Sequence, residues 1–87
     1  MIRPNEFVGH CLTADRNAPL MARICLIVLE PDDPRSVDIS ELRDLSPINL
    51  AITLAFLEDV RWKNPGFACG ETIGQIADGA DPRDLVV

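Results

Sequence analysis

Residues 46–64, SPINLAITLAFLEDVRWKN, decide how the rest of this chain is read. Ser46 can accept from the free amides at a helix start. Pro47 suits the first helical position, where its missing N–H would have no partner anyway. From Pro47 to Leu57 only Asn49 and Thr53 interrupt the apolar surface. On a helical wheel Ile48, Ile52 and Ala55 form one stripe, Leu50, Leu54 and Leu57 form a second on the far side, and Phe56 and Val60 lie between them. A helix apolar nearly all round needs cover on several sides. These residues therefore predict a central helix over 47–63, with 48–57 walled off from water by the other segments or by a second copy of the chain. Charge returns at Glu58, Asp59, Arg61 and Lys63, where the helix is expected to emerge into solvent.

Toward the N-terminus, residues 20–29 are apolar except for Arg23, which with Glu30 marks one narrow polar stripe. Asn17 as a candidate N-cap and Pro19 in the first turn predict a second helix reaching about Glu30. The continuous apolar run 24–29 also suits a buried strand. In that case residues of about 6–13 and 22–30 would pair as a hairpin and the fold would be α+β. Residues 4–13 place Phe7, Val8, Cys11 and Leu12 on one helical face, with Asn5, Glu6, Gly9, His10 and Thr13 opposite.

Before the central segment, the stretch 30–38, EPDDPRSVD, reads as an acidic loop broken by Pro31 and Pro34. Asp38 followed by Glu41 resembles a capping box, opening a short turn with Ile39, Leu42 and Leu45 on one side. Ser46 stands before a proline and is biased away from helical angles, so the central helix starts in a new direction. Beyond that helix, Asn64-Pro65-Gly66 is a turn signal. Residues 70–78 suit a weak helix with Ile73, Ile76 and Ala77 inward and Gly79 as its stop. Asp81-Pro82 suits the start of one last turn. With no repeat and no linker, residues 1–87 predict a single all-α domain of four to five short helices around a buried central one.

Composition bounds the function. A chain of 87 residues buries roughly 60–65% of its unfolded surface, enough for one core without staples. The apolar share of 47% and charged share of 25% argue against a disordered chain. The longest uncharged run, 45–57, has 13 residues, short of the roughly 20 that cross a bilayer. The start, MIRPNEFVGHCL, lacks a signal-peptide core, so a cytoplasmic protein is expected. Fourteen acids against eight bases give a net charge of −6 without a basic tract. That disfavours nucleic acid and favours a protein partner with a basic surface. Cys11, Cys25 and Cys69 are an odd count without a CxxC pair, as expected of free buried thiols in a reducing compartment.

Several chemistries are tested by these residues and fail. His10 beside Cys11 suggests a nucleophile and its base, but adjacent side chains on a regular helix diverge by about 100° and form a dyad only where the segment is irregular. Zinc would need His10, Cys11, Cys25 and Cys69 to converge without a close ligand pair. Gly74 and Gly79 have phosphate-loop spacing, yet Ala80-Asp81 stand where Lys and Ser/Thr are required. The acids of 30–38 lack the register and central glycine of a calcium loop. Neither a metal nor a cofactor is expected.

The sequence thus predicts a small acidic non-catalytic protein-binding module, a regulator, inhibitor or small subunit. Asp32, Asp33 and Asp38 would supply long-range attraction, and Arg61, Trp62, Lys63 and Phe67 a desolvated aromatic and basic anchor. A homodimer sharing the central helix would answer a shortage of covering helices. Two alternatives stand beside this. One is a DNA-binding regulator with a helix-turn-helix over 72–85, whose reading segment carries only Arg83. The other is a thiol enzyme using Cys11 or Cys69.

Overall fold

The computed structural model describes residues 2–30, 32–62 and 71–79, and of Asp15 and Trp62 the backbone alone. Among these residues the chain is all-α, with no strand. Helix α1 spans Pro4–Thr13, α2 spans Ala18–Leu29, α3 spans Pro47–Trp62 and α4 spans Glu71–Ala77. Short 3-10 segments occupy Asp15–Asn17 and Ile39–Asp44. The hairpin between about 6–13 and 22–30 does not form, because both stretches are helical. A single polar stripe at Arg23 and Glu30, spaced seven residues, suits a helix and breaks the alternation of a half-exposed strand.

The buried centre is α2, not the helix over 47–63. Ala18, Leu20, Met21, Ala22, Ile24, Cys25, Leu26 and Leu29 are all buried, and α2 packs against α1 and against α4. Helix α1 contributes Phe7 and Cys11 to that core, with Val8 and Leu12 partly buried against it. Helix α4 contributes Ile73, Ile76 and Ala77, and Gly79 beyond it takes a left-handed φ of 104°, which favours glycine at a helix stop. The reason for the exchange of roles is compositional. Arg23 alone interrupts the apolar run of α2, and its side chain reaches sideways to Glu41, whereas α3 carries polar groups on more than one side.

Helix α3 starts as its sequence predicts: the Asn49 N–H donates to Ser46 Oγ at 3.2 Å and the Leu50 N–H to Ser46 O at 2.8 Å. Its rotation is the surprise. Thr53, Phe56 and Asp59 are buried, while Ile48 is 73% exposed, Leu54 51% exposed, and Ala51 exposed as well. Both triplets follow at steps of three residues, so each covers an arc of about 120°, and the two arcs face nearly opposite ways. The expected enclosure of 48–57 on all flanks is therefore not found among the described residues.

Two long-range contacts fix that rotation. The Phe56 ring stacks on Phe7 of α1 with centroids 4.1 Å apart and planes 2° from parallel. Asn49 Nδ2 donates to Asn17 Oδ1 at 2.8 Å. Asn49 and Phe56 are seven residues apart and share one side of the helix. Anchoring both inward turns Ile48 and Leu54 outward and leaves Thr53 Oγ1 buried without a hydrogen-bond partner. An unpaired buried hydroxyl costs about 1–3 kcal/mol, a penalty that burial of the Phe56 ring offsets.

Candidate functional site

The acidic loop folds its charges back onto the protein. Arg35 Nη1 donates to Asp33 Oδ2 at 2.7 Å and the Arg35 backbone N–H to Asp33 Oδ1 at 2.9 Å, leaving the Asp33 side chain 7% exposed. The same guanidinium forks onto Asp78, just past α4, with Nη2 at 3.0 Å from both carboxylate oxygens and Nε at 3.2 Å from Oδ1. The hydrogen bond to Asp78 is the main cause that raises the Arg35 pKa above its usual value, with further support from Asp33. Arg35 is thus a strap between the loop and α4 rather than a lone base in an acidic surface.

Asp38 is also engaged. It closes the predicted capping box: the Ser40 N–H donates to its Oδ1 at 3.0 Å, and its own N–H donates to Glu41 Oε2 at 2.9 Å. The Ser40 amide lowers the Asp38 pKa; the Asp38 amide, and then Arg23, lower that of Glu41. Because both carboxyls favour ionisation in the fold, their contribution is present above their unfolded values and is lost as pH falls through the lowered folded ones. Ile39, expected on the inward side of this turn, is 83% exposed, whereas Leu45 is buried. In 3-10 geometry, residues three apart eclipse one another, which lines Leu42 up with Leu45 and leaves Ile39 at the solvent end.

Of the remaining expected site residues, Asp32 is exposed, and Arg61 lies exposed in the last turn of α3, 3.6 Å from Glu58. The Trp62 side chain, Lys63 and Phe67 lie outside the described residues, as do Cys69, the turn at 64–66 and residues 80–87 of the helix-turn-helix alternative. Cys11 and Cys25 are fully buried, which leaves the Cys11 thiol without an open path to a substrate in this fold. Among the described residues no group of three or more His, Cys, Asp or Glu could hold a metal ion. No helix among them is long and apolar enough to cross a membrane.

Two features were not foreseen from the sequence. The first is the outward face of α3, where Pro47, Ile48, Ala51 and Leu54 form an apolar strip that ends at the Glu58–Arg61 pair. The second is the role of Asn17, which precedes α2 but makes no capping bond to it. The residue is 4% exposed, and its side chain instead donates to Asp44 O at 2.8 Å and accepts from the Ser46 N–H at 3.0 Å and from Asn49 Nδ2. It therefore joins the first loop to the start of α3, an arrangement that no local pattern encodes. Compared with protein-family models, with curated proteins and with solved structures, the chain has no match.

Proposed function

We propose that this chain is a non-catalytic, cytoplasmic protein-binding module whose anchor is the outward face of α3, and whose partner is a protein presenting an apolar strip rimmed by basic side chains. One observation carries the reading: Ile48 and Leu54 stand in water while Thr53 and Asp59 of the same helix are buried. A helix that inverts its polarity in this way gains from a cover. The net charge of −6 points to a basic rim and penalises a second copy of the chain on the same face. The acidic loop takes a smaller part than its composition suggests, since Asp33 and Asp38 are held by Arg35 and by the capping box.

The test compares the wild-type chain with the Ile48→Gln/Leu54→Gln variant, which removes the apolar anchor without altering charge. A photo-crosslinker is placed at Ala51 in both, in extract of the source cell, with light scattering on each purified protein. The proposal expects a crosslinked basic protein that the variant loses by at least about tenfold, as for central anchor residues, with both purified chains monomeric and equally helical. Crosslinking unchanged in the variant would remove α3 from the interface. A wild-type dimer that the variant dissolves would show that a second copy, not a basic partner, covers this face.

A further inference from the structure

Among the described residues the arginines fall into two sets. Arg23 pairs with Glu41, Arg35 with Asp33 and Asp78, and Arg61 with Glu58. Arg3, Arg16 and Arg43 are exposed and pair with none of the described carboxylates, and of these Arg16 and Arg43, together with Asn17 and Asp44, line one open cleft of about 380 Å³. Asp44 shares that cleft and neutralises neither guanidinium through an ion pair. The floor is fixed, because the buried Asn17 side chain is held by its bonds to Asp44 O, Ser46 N and Asn49 Nδ2.

We propose that this cleft binds a phosphate monoester, gripped between the guanidinium forks of Arg16 and Arg43. A guanidinium offers paired, coplanar donors that match two oxygens of an oxyanion. A carboxylate is satisfied by one such fork. A phosphate monoester has three terminal oxygens and nearly two charges, and so uses two forks approaching from different elements. The cleft volume suits a small phosphoester. Asp44 opposes the ligand and places the affinity in a weak range, with Kd on the order of millimolar for a solvated two-arginine site. The proposal does not depend on the α3 surface.

The experiment is a titration of the whole chain, followed by the backbone amide resonances of residues 16, 17, 43 and 44, with inorganic phosphate, phenyl phosphate and acetate at constant ionic strength and neutral pH. Both phosphates are expected to shift these signals along a saturating curve and acetate to leave them nearly unmoved. Phenyl phosphate binding tighter than inorganic phosphate would mark a phosphoester as the ligand, and equal binding the free ion; either outcome keeps the oxyanion site. Arg16→Gln/Arg43→Gln, at two exposed positions without ion pairs among the described residues, keeps the fold and weakens binding by about tenfold or more. Asp44→Asn tightens it by about threefold through loss of a like charge. Shifts that fail to saturate, that acetate reproduces, that survive in the double arginine variant, or that Asp44→Asn leaves unchanged would each overturn the assignment.

Discussion

Phe56→Ala is expected to destabilise the protein by about 3–5 kcal/mol, the usual cost of removing a buried aromatic side chain. A chain of this length has a total stability of roughly 4–13 kcal/mol, so the variant loses about a quarter of it or more. The thermal midpoint should fall by at least about 12 °C. The size of the effect follows from geometry: Phe56 is fully buried and stacks on Phe7, the principal bond between α3 and α1. Adding Phe7→Ala to the same chain should cost less than Phe7→Ala alone, since both substitutions open one shared cavity. By contrast, Ile48→Ala should change stability by less than about 0.5 kcal/mol, because its side chain is already in water. Chemical denaturation of the three variants checks this, and a large loss for Ile48→Ala with a small one for Phe56→Ala would mean that α3 is rotated the other way.

Asn17→Ala is expected to cost about 2–4 kcal/mol, through three lost hydrogen bonds and the backbone groups at Asp44 and Ser46 that they leave unpaired. Asn17→Asp keeps both acceptors but loses the donor to Asp44 O and brings a charge into a nearly closed site, so it should be no better than Ala. The alternative role, an N-cap of α2, predicts the opposite. Asp caps helices as well as Asn does, and a lost cap costs only about 1 kcal/mol. Denaturation midpoints of the two variants therefore separate a long-range junction from a local cap.

These residues also mark where the sequence stops being legible. The register of α1, with Phe7 and Cys11 inward, follows from local spacing, as do the Asp38–Glu41 capping box, the Ser46 cap and the inward Ile73 and Ile76 of α4. The rotation of α3 does not. Its apolar residues lie on every side, so hydrophobicity alone ranks no face above another, and the choice falls to Phe7 and Asn17, each more than thirty residues away from its partner. For the same reason the centre of the domain passes to α2, whose one narrow polar edge leaves less freedom.

The candidate site was readable in composition and unreadable in use. The acidity of 30–38 is plain, but the pairing of Arg35 with Asp78 spans 43 residues and ties the loop to the end of α4. The exposed apolar strip of α3 is visible only once its anchored side is known. Arg16 and Arg43, unremarkable among eight bases, gain meaning from a cleft that only tertiary structure brings together.

The central claim, that α2 forms the core while α3 presents an apolar side to solvent, is tested most directly by methyl NMR of the protein with a soluble paramagnetic agent. The account predicts strong broadening of the Ile48 and Leu54 methyl signals together with that of Ile39, and protection of Met21, Ile24, Ile73 and Ile76. Protected Ile48 and Leu54 beside broadened Ile24 and Met21 would contradict it.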